Sequence, residues 1–228
     1  MDNGKEFGQG IFSDVTNHIY WLLLLTIYFV LTNVVFLFFL VTLIPSISNI
    51  IIYFLALIPT GPSISALCYS IGKLIREKEI SPTKDFFYGY KLNFIDTLKC
   101  WLPLLLVISV LVIDLKYFNV QDSVSNQILG GLLLVVLILT LTVSLYVFLI
   151  NANFNFRIRD IYRLSVFYCF TKVKATIGNI GIVIMTVFVM YVISDFIILF
   201  LAGIVCYALM MNSKQVMEDI ELNFIKKT

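Results

Sequence analysis

Long uncharged apolar blocks alternate along this chain with short basic stretches. Between Asp14 and Lys73 no Asp, Glu, Lys or Arg occurs. At roughly 20 residues per crossing, that stretch alone holds two membrane spans and a turn. The apolar blocks predict six spans, at about 20–44, 49–72, 100–118, 127–150, 175–194 and 196–213. The expected fold is therefore all-α, a polytopic helical bundle forming one integral membrane domain over 1–228. The last apolar region is split by Asp195 into halves barely long enough to cross, which leaves a full hairpin and a re-entrant one both open.

Charge turns this pattern into an orientation. Of the sixteen Lys and Arg residues, only Lys116 falls on the far side of a six-span arrangement. Loops on the cytoplasmic side are enriched in Lys and Arg, so the expected topology in a bacterial cell membrane has both termini cytoplasmic. A single crossing over 175–213 would instead carry Lys214, Lys226 and Lys227 outside. The first apolar block runs uncharged from Tyr20 to Ile44, longer than a signal-peptide core. It continues into Pro45-Ser46-Ile47-Ser48-Asn49, which reads as a turn and not as a cleavage site. Composition agrees: 13% charged residues is about half the share in a soluble domain, and mean hydropathy is +0.98. A net charge of +2 spread over membrane-flanking loops gives no footprint for nucleic acid.

Some of the polar stretches carry periodicity of their own. In Asp85–Lys99, residues Phe86, Phe87, Tyr90, Phe94 and Leu98 share one helical face, opposite Asp85, Tyr88, Asp96 and Lys99. Ser81-Pro82 supplies an N-cap and a first-turn proline, so this segment predicts a helix lying in the membrane interface. Phe7, Ile11, Val15 and Ile19 form a shorter version, and the second basic loop a less regular one. Phe87-Tyr88-Gly89-Tyr90 returns loosely as Phe167-Tyr168-Cys169-Phe170, each shortly before a hairpin of spans. A repeated unit and a coincidence among aromatics both fit.

The densest local information lies in the second span. Pro59-Thr60-Gly61-Pro62 sits near its middle, where two prolines each remove a backbone donor. A break there is either a kink absorbed by neighbouring helices or an unwound solute path of the kind transporters build. Beyond it, Gly61, Ser65, Cys68 and Gly72 recur at helical spacing and predict a packing face of small side chains.

Reactive chemistry is sparse. There is no HExxH, no nucleophile elbow and no glycine-rich phosphate loop. His18 reads as an interfacial residue, and Asp114 and Asp195 fit turns on the outer surface. Cys68, Cys100, Cys169 and Cys206 are too widely spaced for a zinc site or a disulfide framework. We therefore expect no catalytic residues, no cofactor and no metal. The spans bury neutral polar groups such as Asn33, Ser63, Ser65, Thr140 and Thr142, of which Asn33 and the threonines are expected to join helices through hydrogen bonds. Without intramembrane charge, ion-coupled transport has no support, whereas a facilitator for a neutral solute stays open.

Ile58-Pro59-Thr60-Gly61-Pro62, Ser65-Ala66-Leu67-Cys68-Tyr69 and Lys73-Leu74-Ile75-Arg76 resemble the signature of the YesL-like family of bacterial integral membrane proteins. Asp85-Phe86-Phe87, Tyr90-Lys91 and Asn93 are similar to the segment that follows it there. The resemblance implies several spans and a domain of unknown function. Its members' association with sugar-uptake systems implies an accessory or regulatory partner of such a system. The expected partners are the lipid bilayer and a permease complex, or a second copy of this chain. A small stand-alone transporter or channel for a neutral solute is the alternative.

Overall fold

A computed structural model of the chain describes residues 11–44, 46–119, 123–193 and 198–225. Every regular element among them is helical: α1 (Ile11–Thr32), α2 (Val34–Thr42), α3 (Ile50–Ala56), α4 (Thr60–Glu77), α5 (Pro82–Asn119), α6 (Val124–Asn153), α7 (Ile158–Thr171), α8 (Val173–Val192), α9 (Ile198–Asn212) and α10 (Lys214–Ile220). A 3₁₀ turn, Ile47–Asn49, precedes α3, and a π-helical turn, Glu221–Ile225, follows α10. Four of these helices are long and apolar enough to cross a membrane. The number reaches six if the pair Ile47–Ala56 and Thr60–Glu77, bent by 46°, and the pair Phe200–Asn212 and Lys214–Ile225, bent by 55°, are each one span. The fold is all-α and polytopic.

The bundle is built around α4. It packs along α5 on one side and along α6, α9 and α1 on the others. Its buried face runs through Gly61, Ser65, Cys68 and Gly72, with Ala66, Leu67 and Ile71 beside them. Lys73, Arg76 and Asp85 mark one end of the bundle, the basic end, where α4 finishes, α5 starts and α6 hands over to α7. The outer flanks of α1, α2, α6 and α8 remain exposed and apolar, as at Phe38, Val135 and Phe188. That distribution suits a hydrocarbon solvent, which needs no polar coat.

Two expectations are corrected. Asp85–Lys99 is not a separate interfacial helix: it forms the opening turns of α5, which runs unbroken for 38 residues. At about 1.5 Å per residue such a helix is about 57 Å long, nearly twice the hydrocarbon thickness. Its buried face is also different. Asp85, Phe86, Gly89, Asn93 and Thr97 face the protein, while Phe87 and Phe94 point outward. The second basic loop, the less regular candidate for a helix, does form one, α7, with Cys169 buried in its inner face. Finally, the polar groups expected to join helices bond locally instead. Thr140 donates to the Val136 carbonyl, Thr142 to Ile138 and the Asn33 amide to Phe29, each one turn back along the chain. A hydroxyl or amide one turn above a carbonyl reaches it before it reaches a neighbour. Phe7, Pro45, Asp195, Lys226 and Lys227 lie outside the described residues.

Candidate functional site

α3 ends at Ala56 and α4 begins at Thr60, so the proline segment interrupts the second span as its chemistry requires. Pro59 itself keeps near-helical angles, φ −66° and ψ −18°, so the chain bends there without unwinding. The carbonyls at the bend find partners inside the protein. Trp101 Nε1 donates to the Leu57 carbonyl at 2.9 Å, and the Ser63 hydroxyl donates to Pro59 at 2.8 Å. The indole also occupies the notch left by the missing side chain of Gly61, where a Cβ would lie 2.5 Å from Trp101 Cδ1. Gly61, Pro62 and Ser63 are buried, and the Thr60 hydroxyl is enclosed without a hydrogen-bond partner in the protein. The segment is a kink closed by a tryptophan.

From the kink to the basic end, α4 and α5 run antiparallel in a register marked by Gly61 on Trp101, Tyr69 on Gly89 and Lys73 on Asp85. Gly89 is a close approach: a Cβ there would lie 2.7 Å from the Tyr69 ring. The same register brings Ser65 level with Asn93–Thr97. Thr97 accepts from the Asn151 amide of α6 at 2.7 Å, whereas Ser65 Oγ and Asn93 Nδ2 are buried without a partner in the protein. These two atoms and the Asn151–Thr97 bond make this level of the seam polar. At the basic end the Asp85 carboxylate accepts from Lys73 Nζ at 2.7 Å and from the Ser81 backbone N–H at 2.9 Å. One side chain thus caps α5 and ties it to α4. Arg76 donates to the Asn153 side chain at 2.9 Å, carrying the seam to α6.

The small-residue stripe serves more than one neighbour. Gly61 meets α5, the Cys68 sulfur lies 3.4 Å from that of Cys206 on α9, and Gly72 packs against Asn153 and Met210. All of these partners lie within the same chain. Further bonds between elements went unseen in the sequence. Asn179 on α8 donates to Ser213, Asn212 donates to Asn179, the Gly203 N–H of α9 donates to Thr26 of α1, and Tyr146 bonds Thr176. Their common signal is an amide or hydroxyl in an otherwise apolar helix or at its end, which hydropathy averages away.

α7 adds a layer at the basic end. The Tyr162 hydroxyl donates to the Cys100 carbonyl at 2.6 Å, three residues before Pro103, and burial pushes its pKa up to about 12. Tyr168 donates to Asp219 at 2.9 Å, and burial together with that carboxylate raises it further. Among the described residues no three His, Cys, Asp or Glu side chains converge as a ligand set for a metal.

A cavity of about 490 Å³ lies among the spans, walled by Phe29, Ile108, Ile138, Val183 and Leu209 with Cys68 and Cys206 at its side. None of its lining residues is charged, and its two hydroxyl residues, Thr142 and Ser144, donate to carbonyls of their own helix. Pro59, Thr60, Gly61 and Pro62 are not part of its wall.

Fold and seam together define a polytopic helical membrane protein whose second and third spans are joined by small and polar side chains. Residues 18–115 match the model of the family described as "Protein of unknown function, DUF624". Over this segment the chain is similar to that family, the one to which the resemblance at Pro59–Asn93 pointed. The residues carrying the resemblance are those that build the kink and the α4–α5 seam. No curated protein and no solved structure matches the chain.

Proposed function

We propose that this is a non-enzymatic accessory or regulatory partner of a carbohydrate-uptake system in the bacterial cell membrane, with both termini cytoplasmic. The observation that carries the reading is the closed kink. Trp101 fills the Gly61 notch and bonds the Leu57 carbonyl, so the one segment shaped like a solute site is occupied by the protein itself. A sugar path would need free amide and hydroxyl groups facing a cavity, whereas the two hydroxyls in this cavity's wall, Thr142 and Ser144, are bonded to their own helix. The family's association with sugar-uptake systems then supports a partner role. Fifteen of the sixteen basic residues on one side support the orientation.

The test is a cross-linked pull-down from native membranes through a C-terminal tag. Stoichiometric recovery of a permease or its ATPase is the expected result. Recovery of the protein alone, or only as copies of itself, would overturn the partner role.

The cavity favours a second reading, a small transporter or channel for an apolar neutral solute. On that reading Val183→Trp, which fills the space, abolishes flux into proteoliposomes while insertion stays intact. The partner reading expects no flux from the unmodified protein.

A further inference from the structure

The outward face of α7 has no role in the seam. Its inner face, Ile161, Leu164, Ser165, Tyr168 and Cys169, is buried against the bundle. On the opposite side Arg159, Arg163, Val166 and Phe170 follow one another at four-, three- and four-residue steps, a single helical row, and Phe167 stands beside it. Phe167 and Phe170 are 51% and 62% exposed, too open for two aromatics that only pack. Neither Arg159 nor Arg163 forms an ion pair among the described residues. The row is graded. Its arginines occupy the first turns, and its phenylalanines the last, within two turns of Val173, where the membrane-length helix α8 starts. Next to the row, a cup of about 580 Å³ has Phe156, Arg163, Phe167 and Phe224 in its wall, with Asp160 as its carboxylate.

We infer that this face of α7 binds anionic phospholipid: the arginines hold the headgroup phosphate, and Phe167 and Phe170 enter the acyl boundary. Each element of the geometry has a counterpart in a leaflet. Guanidinium forks match phosphate oxygens, and exposed aromatics beside a span suit the headgroup–acyl boundary. An acidic segment of a partner protein would satisfy the arginines but not the phenylalanines, whose neighbour along the chain is the lipid-facing start of α8. Asp160 is the one group in the cup that opposes an anion.

The test uses the full chain in detergent micelles, titrated with phosphatidylglycerol or phosphatidylcholine, with retained lipid read by native mass spectrometry. The wild type should retain phosphatidylglycerol in preference, and added salt should erode that preference. Arg159→Gln and Arg163→Gln should each lower it by roughly fivefold, the factor for one basic residue at an anionic surface. Asp160→Asn should raise it. Lys214→Gln, which removes a cation paired with Glu218 on α10, should leave it unchanged. Because Arg159 and Arg163 are exposed, both variants should elute as the wild type does. If either misfolds, the salt titration of the wild type and the Asp160→Asn variant decide. Equal retention of the two lipids, or a loss as large in Lys214→Gln as in the arginine variants, would overturn the proposal. So would a preference appearing only when another protein co-purifies.

Discussion

The two aromatic segments Phe87-Tyr88-Gly89-Tyr90 and Phe167-Tyr168-Cys169-Phe170 share a sequence pattern and a position before a span, yet they fold differently. In the first, the helix runs straight on into the span. Gly89 lies flat on Tyr69, and Phe86 is wholly buried between α1 and α4. In the second, the helix stops at Thr171 and a new one starts at Val173. The carbonyl of Cys169 accepts instead from the Thr176 hydroxyl at 2.9 Å, and Tyr168 reaches out to Asp219. Continuity is thus decided by partners and not by the aromatic pattern. A backbone contact at glycine holds the first segment, and a set of hydroxyl bonds holds the second.

That contrast can be broken first at its closest contact. Gly89→Leu forces a side chain into Tyr69, including its Cβ, and should destabilise the protein by about 3 kcal/mol. Cys169→Ala, at the matching place in the second segment, removes one buried sulfur and should cost about 1 kcal/mol. Thermal unfolding of both variants in the same detergent checks the order; an equal loss would mean that the two segments are held alike. Next comes Asp85→Asn, which discharges the link between Lys73 and the start of α5. A charge-assisted bond of this kind contributes about 2 kcal/mol. Lys73→Gln should cost less, because Lys73 is partly exposed and the Asp85 carboxylate keeps its bond to the Ser81 N–H.

How much of this was legible beforehand follows from what hydropathy measures. Long uncharged runs are visible whatever their neighbours, so the polytopic all-α fold could be read directly. The stripe Gly61, Ser65, Cys68 and Gly72 could be read because size recurs at helical spacing. The unbroken α5 could not. Polarity rises at Lys99 and suggests an end, but helix propagation responds to backbone bonding, and no residue between Asp85 and Lys99 interrupts it. The indole in the Gly61 notch was equally hidden, because the two residues lie forty positions apart and only their register makes them meet. Asn93 and Asn151, which place polar atoms in the seam, sit at the margins of apolar blocks. There neither reads as an interior residue, although both are buried.

The smallest expected effect sharpens the hydroxyl side of the comparison. Tyr162 and Tyr168 are both held neutral by burial, which pushes Tyr162 up to about 12 and Tyr168, beside Asp219, higher still. A tyrosine whose folded value is raised stabilises the fold fully below its unfolded pKa, and that contribution is lost as pH rises toward the folded value. Helix α7 should therefore loosen between about pH 10 and 12. Tyr168→Phe removes one hydroxyl bond, at a cost of about 1 kcal/mol at neutral pH. It should also flatten part of the alkaline loss. Hydrogen exchange of α7 across that pH range, in the wild type and in Tyr168→Phe, measures both effects. If the two proteins lost protection in parallel, the hydroxyl at Asp219 would not be what fastens α7 to α10.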